Sequence, residues 1–420
     1  MSPIFLRRHV FVLKEYFPQH NYIYHDAELP LPEFVHDASY DAIILDVTFL
    51  CMRWAGSEAF ARMRNDYMFV KESGAVKLAF PQDEYDCSGI LDDWMCDWNV
   101  DVVFSVLTQH LEVIYPKYGL RGEIRHAYTG YIDERLIDIP RRAFSDRPID
   151  IGYRARKLPP YFGRLGETKW SVGILIAQRA REAGLATDIV VGDGGTLLGQ
   201  AWLDLINNSK FTLGANSGSS MLDPFGDIQR SVKVYLASHP LADFAEVEQH
   251  CFSGQDGKYS FTAISPRVLE AGLLESGQLL VEGEYSKIIR PWEHYIPIRS
   301  DASDFAVAHE AMQDKALVAR LIKDCRSALL DFAELRASFH ASQCIDLIGD
   351  MKSRKAVVSS CDAFVTAANR YDKKMAPAFR IHWKRQAIKR RLARIINKSD
   401  HLILLKDSLL SVLRAARSWK

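Results

Sequence analysis

The stretch Ser265–Tyr295, SPRVLEAGLLESGQLLVEGEYSKIIRPWEHY, most constrains the fold, because a helix, its stop and a buried strand follow one another without slack. Ser265 suits an N-cap and Pro266 the first helical position, where its missing N–H costs nothing. Val268, Leu269 and Leu273 recur at helical spacing. Gly277 suits a C-cap, since glycine enters the left-handed region without a steric penalty. Leu279–Val281 then reads as a short buried strand with Glu282-Gly283-Glu284 at its carboxyl end, the edge where open α/β sheets bind ligands. Arg267 and Glu270, three residues apart, share one helix face near its positive end. A cation at a helix N-terminus suits a diphosphate, and a carboxylate one turn on suits sugar hydroxyls. An ordinary amphipathic helix with a surface Arg–Glu pair has the same spacing.

Upstream, short apolar runs alternate with helical segments. Asn21–His25, Asp41–Leu50, Val76–Phe80 and Asp101–Val106 read as strands; DAIILDVTFL is apolar on both faces, as in a central parallel strand. Ser57–Asn65 and Ser88–Asp97 read as helices between them. This alternation predicts an α/β fold with Rossmann-like layers. No GxGxxG or Walker A loop is present, which removes the usual support for a dinucleotide or P-loop site. The loop Pro81-Gln82-Asp83-Glu84-Tyr85-Asp86 follows one strand and precedes a helix. Its carboxylates are candidates for holding hydroxyls or acting as a general base, with helix capping as the structural alternative.

Residues 139–148 are polar and proline-punctuated, as in an interdomain linker, and a new strand begins at Ile149. It runs into Arg154, Arg156 and Lys157, and Gly163, Gly166 and Lys169 lead into the helical stretch Trp170–Ala183. Basic side chains and glycines on a strand-to-helix loop suit a phosphate. Asp188–Val191 and Lys210–Leu213 read as further strands, the second leading into Gly214-Ala215-Asn216-Ser217-Gly218-Ser219-Ser220, where small residues allow close backbone approach.

The segments DIGYRARKLPPYFGRLGETKW, FTLGANSGSSMLDPFGDI and SPRVLEAGLLESGQLLVEGEYSKIIRPWEHYIPI resemble the donor half of GT-B glycosyltransferases, in the family-1/family-4-like (CgeB-like) bacterial surface-polysaccharide group. The resemblance covers roughly 146–305, and the first half only by architecture and the PQDEYD loop. It implies GT-B architecture: two Rossmann-like domains facing a cleft, an acceptor domain over 1–145, a nucleotide-sugar donor domain over 146–310 and a helical extension over 311–420. It implies a hexosyltransferase type of activity on a nucleotide-sugar donor and a glycan or lipid-linked acceptor, with no metal and no other cofactor. Arg154 or Arg156, with Lys169, would contact the donor diphosphate; Gly218 and Ser219 would lie against the donor. Arg267 and Glu270 would hold donor phosphate and ribose, and Glu282, Glu284 and Tyr285 would stand at the donor sugar. Asp83 or Glu84 is the expected base. The chain departs from the commoner E-x7-E pattern, with Glu275 and Glu282 following Glu270, so the stereochemical outcome stays open. A GT-B-shaped sugar-nucleotide epimerase and a non-catalytic membrane-surface scaffold are the rivals.

Net charge is zero, so no global field for nucleic acid exists, and no nucleic-acid partner is expected. Seven scattered cysteines without CxxC spacing argue against a disulfide framework or a structural zinc. The N-terminus has its apolar run broken by Arg7, Arg8 and His9, a poor signal peptide. The last forty residues are basic and then leucine-rich, from Arg380, Lys384 and Arg385 to Leu413. Such an amphipathic segment suits an anionic membrane surface, a solvated helix or an oligomer contact. A cytoplasmic protein, peripheral at the inner face of the plasma membrane through 380–420, is the corresponding expectation.

Overall fold

The computed structural model describes residues 3–27, 31–36, 38–192 and 195–354, with isolated positions between 366 and 373. These fall into two compact units. The larger, Met1–Tyr22 with Ser39–Val358, contains both sheets. The smaller joins Ile23–Ala38 to Ser359–Lys420; within it Phe34 meets Tyr371 edge-on at 5.5 Å. The basic segment 380–420 lies outside the described residues.

The first sheet has four parallel strands in sequence order: β1 (Ala42–Leu45), β2 (Val76–Ala79), β3 (Val102–Ser105) and β4 (Glu123–His126). Every residue of β2 and β3 is buried, as in strands covered on both faces, and buried Lys77 within β2 donates to Lys71 O and Trp98 O at 3.0 Å. Asp41–Leu50 is not a central strand. β1 ends at Leu45 because Asp46 accepts from Thr48 N and starts the helical turn Val47–Leu50, and it lies at the sheet edge with Ile44 exposed. Asn21–His25 carries no regular secondary structure. Strands that neighbour in sequence order put right-handed crossovers on one face. The other face is covered by helices from far apart in the chain, Pro3–Tyr16 and Ala337–Arg354, whose Val12, Leu13, Ala341, Cys344 and Leu347 pack with Val76, Leu78 and Phe104. Ala337–Arg354, in the C-terminal helical segment, thus lies against the first sheet.

The second sheet contains β5 (Ile149–Ala155), β6 (Thr187–Val191), β7 (Ser209–Gly214), β10 (Gly277–Val281) and β11 (Ile296–Ile298), all parallel, in the order β11-β10-β7-β5-β6. A separate antiparallel ribbon pairs β8 (Ser217–Ser219) with β9 (Phe261–Ala263). Order reverses at β5: β6 lies to one side and β7 to the other. That reversal opens a crevice at the carboxyl ends of β5 and β7. The α/β class and two parallel Rossmann-like sheets are thus present.

The Pro266–Leu273 helix is capped by Ser265, whose side chain accepts from Arg267 N. It buries Val268, Leu269 and Leu273, each contributing roughly 1.5–3 kcal/mol. Gly277 is not its C-cap. Glu275 takes the left-handed position at φ +54° and Ser276 N closes on Ala271 O at 3.0 Å. Gly277 instead opens β10, where a Cβ would stand 2.5 Å from the Phe211 ring of β7. The expected linker is fastened to the second sheet. Buried Arg147 donates to Ser209 O at 3.0 Å, Leu274 O at 2.8 Å and Arg142 O at 3.1 Å, and burial pushes its guanidinium down to about 10.

Candidate active site

At the switch point of the second sheet two cations converge. Lys169 lies near the start of the Gly163–Glu182 helix that follows β5, and Arg267 lies in the first turn of Pro266–Leu273. Lys169 Nζ donates to Ser217 Oγ at 3.3 Å. Burial, helped by the Arg267 charge, pushes the Lys169 ammonium down to about 8, and the Asp83 charge opposes that shift from the other lobe. Arg267 donates to Arg154 O and lies 4.9 Å above the Trp202 ring. Trp202 Nε1 donates to buried Glu270 at 2.6 Å. Arg267 and Glu270 do share a face, and the Trp202 indole is held between them. Among the described residues no carboxylate oxygen lies within ion-pair distance of Lys169 or Arg267. The hollow bounded by Tyr153, Lys169, Trp202, Thr212, Ser265 and Arg267 encloses about 20 Å³, room for one water.

The PQDEYD loop, at the carboxyl end of β2, faces this edge. Buried Arg53 braces it from below, donating to Gln82 O at 2.8 Å, Asp83 O at 2.9 Å and Asp86 O at 3.0 Å. Asp83 is exposed in the left-handed region at φ +49°, and its Oδ1 accepts from Tyr85 OH at 2.7 Å. Its neighbour Glu84 points the other way. It is 0% exposed and accepts from Ser105 Oγ at 3.0 Å, Val106 N at 2.9 Å and Tyr115 OH. Burial pushes its carboxyl up to about 7 against those hydrogen bonds. Glu84 is therefore a core group under the loop and meets no acceptor; of the two expected carboxylates only Asp83 faces the edge.

The two lobes touch at this edge through several bonds. Cys87 N donates to Asp223 O at 2.7 Å and Asp223 N to Tyr85 O at 3.0 Å. Thr129 Oγ1 donates to Ile264 O at 2.5 Å, one residue before the cap of the Arg267 helix. Gln109 Nε2 donates to Glu284 Oε2 at 2.8 Å. The carboxyl ends of the two sheets thus share one polar seam.

Other expected site residues sit elsewhere. Arg154, 8% exposed, pairs with Asp188 of β6 at 2.9 Å, so its guanidinium braces the sheet edge and is not directed at a ligand beside Lys169. Arg156 is exposed on the loop after β5. Gly218 is a strand-pairing residue at φ +137°, where a Cβ would come 1.8 Å from Phe261 O. Ser219 is buried, donating to Phe162 O and Met221 O. Glu282 is exposed at the end of β10, whereas Tyr285 is fully buried and donates to Val281 O at 2.7 Å. The structure thus gathers Asp83, Lys169, Arg267 and Glu270, with Glu284 on the rim. Trp202 and Arg53 escaped the sequence analysis: each acts through partners distant in the chain. So did His9, whose ring lies 3.4 Å from Asp46 at the end of β1. Burial alone would raise the Asp46 carboxyl, but the His9 and Thr48 hydrogen bonds bring it below the usual range.

No family model matches the chain, and no curated protein matches it. Similar solved structures include TarM, at 9% identity and TM-score 0.41 over 68% of this chain and 53% of that one. Anabaena HepE in complex with UDP-glucose is similar at 8% identity and TM-score 0.42, over 75% of this chain and 80% of HepE. An alpha-glucosyltransferase in complex with UDP and a 13-mer DNA containing a HMU base is similar at 12% identity and TM-score 0.43, over 74% and 80%. The chain spans about half the length of TarM.

Proposed function

We propose that this chain is a nucleotide-sugar-dependent, metal-independent glycosyltransferase of hexosyl type, acting on a glycan or lipid-linked hydroxyl in bacterial surface-polysaccharide assembly. One observation carries this reading: Lys169 and Arg267 converge at the switch point of a parallel sheet, with like charges close and the lysine proton already loosened. Such a pair is costly until an anion sits between its members. A diphosphate supplies two negative groups, and the charge that develops on it as the glycosidic bond breaks is what fixed cations stabilise.

In this scheme the bond between the anomeric carbon and the diphosphate oxygen breaks as the acceptor oxygen bonds to that carbon. The nucleoside diphosphate leaves onto Lys169 and Arg267. The acceptor proton passes to Asp83, which is exposed, braced by Arg53 and on the opposite lobe. Glu270, oriented by Trp202, takes ribose hydroxyls, and Glu282 and Glu284 lie at the sugar end. The basic segment 380–420 would hold the enzyme at an anionic inner-membrane surface; vesicle sedimentation with and without it tests that part. The chemistry is tested by incubating the full chain with UDP-, GDP-, TDP- and CDP-sugars and a mixture of neutral oligosaccharide and lipid-linked glycan acceptors, with magnesium or with EDTA, and following released nucleoside diphosphate. Release in EDTA that Lys169→Ala and Arg267→Ala each abolish supports the scheme; no release from any donor refutes it.

A further inference from the structure

Beside Asp83, four aromatic rings cross from one lobe to the other, and the proposed chemistry uses none of them. Tyr259 stacks on Phe261 with ring centres 5.6 Å apart and planes 28° off parallel. Phe261 stacks in turn on Tyr85 at 5.8 Å and 26°. His110 stands edge-on to both Tyr259 and Phe261, at 5.3 and 5.8 Å. The inner members are buried, Phe261 at 1% and Tyr85 at 5% exposed, but Tyr259 and His110 remain partly exposed. One face of Tyr259 is covered by Phe261. His110, held on the rim at φ +61°, caps the helical turn Leu111–Ile114. Its neighbour Gln109, on the same turn, donates from Nε2 to Glu284 Oε2 at 2.8 Å. At the other end of the file, Tyr85 OH holds the Asp83 carboxylate.

We infer that Tyr259 and His110 form an acceptor subsite for a neutral oligosaccharide, which lays the C–H face of a sugar ring on Tyr259 and offers its hydroxyls to Gln109 on the rim. Two ring spacings separate Tyr259 from Tyr85, so a sugar stacked there is joined to the reacting sugar through a short glycan chain. This names the acceptor class of the reaction proposed above and rests on that reading. An aromatic face carries negative charge density and meets the weakly positive C–H groups of a pyranose, while planar polar groups at its edge take the equatorial hydroxyls. Charge decides between sugar and single-stranded nucleic acid, the other polymer that stacks on aromatic rings. Nucleic-acid stacking platforms come with a basic groove that tracks the phosphates, whereas here Asp83 is held by Tyr85 and Glu112 lies 3.8 Å from His110 Nδ1.

The test is saturation-transfer NMR on the full chain with neutral glucose and galactose tetrasaccharides of α and β linkage, and with an oligothymidine dodecamer. Thermal shift by nucleoside diphosphates is run in parallel. At least one tetrasaccharide should receive saturation, Tyr259→Ala should weaken its binding at least tenfold, and Tyr259→Phe should bind within twofold of the parent. Both variants should keep the parent's nucleoside diphosphate shift, which also shows that they fold. Overturning results are no transfer to any tetrasaccharide, equal binding by Tyr259→Ala, or transfer to the oligothymidine instead. A tetrasaccharide that binds through Tyr259 in a protein that no nucleoside diphosphate shifts would leave the subsite standing and remove the glycosyltransferase reading.

Discussion

Lys169 offers the sharpest quantitative test of the switch-point site. Its ammonium is pushed from the ordinary lysine value to about 8, first by burial and then by Arg267. At 1.36 kcal/mol per pH unit, the charged form is destabilised by about 3 kcal/mol, and solvent at the partly exposed side chain brings this nearer 2. The sign follows from linkage. Between pH 8 and 10.4 the unfolded chain keeps the lysine proton while the folded one has released it, so ligand-free stability rises with pH through that window and is lost as pH falls through 8. An anion reverses the balance, because it binds the protonated form. Phosphate groups titrate near pH 6, below the window. Nucleoside diphosphate binding at pH 8.5 should therefore take up about three quarters of a proton, and affinity should fall about 25-fold between pH 7.5 and 9.5. Calorimetry in buffers of different ionisation enthalpy reads the proton directly. Lys169→Gln should bind more weakly at pH 7.5 and show no uptake. A wild-type protein that binds without proton uptake, with constant affinity from pH 7.5 to 9.5, would refute the assignment.

Three further outcomes follow from the same geometry. Trp202→Leu removes the ring under Arg267 and the donor to Glu270, and should weaken nucleoside diphosphate binding roughly 3- to 30-fold, as a lost cation–π contact implies; titration calorimetry reads it. Arg53→Met leaves the buried carbonyls of the Asp83 loop without donors and should cost about 2–4 kcal/mol in urea unfolding, with turnover falling further than stability alone explains. Glu84 carries the opposite sign to Lys169: its raised carboxyl favours the fold fully below pH 4.5, and that contribution is lost as pH rises toward 7. Glu84→Gln should flatten the stability profile between pH 4.5 and 7 and leave turnover near normal; loss of turnover with stability intact would restore Glu84 to the reaction.

What the sequence makes legible here is set by range. The Arg267–Glu270 spacing, the Ser265 cap and the buried β7 and β10 are local properties, and each appears in the fold. β4, with the sequence EIRH, escaped notice because an edge strand exposed to solvent needs no apolar run. Gly277 misled because glycine suits both a helix stop and a close strand crossing, and only the Phe211 ring on β7 decides between them. Asp83 and Glu84 are adjacent and chemically alike; the left-handed turn at Asp83, which sends one outward and one into the core, depends on Arg53 and Tyr115 elsewhere in the chain. Arg154 looked like a phosphate ligand until its register opposite β6 brought it to Asp188.

The central claim is that Lys169 and Arg267 together form an anion site for a nucleoside diphosphate. Its most direct measurement is the thermal unfolding of the full chain with UDP, GDP, TDP and CDP, each with magnesium or EDTA. One of them, at 100 times its dissociation constant, should stabilise the fold by about 2.7 kcal/mol in EDTA as in magnesium. Arg267→Ala should remove most of that gain. Unfolding that none of the four diphosphates displaces, or a shift that survives intact in Arg267→Ala, would contradict it.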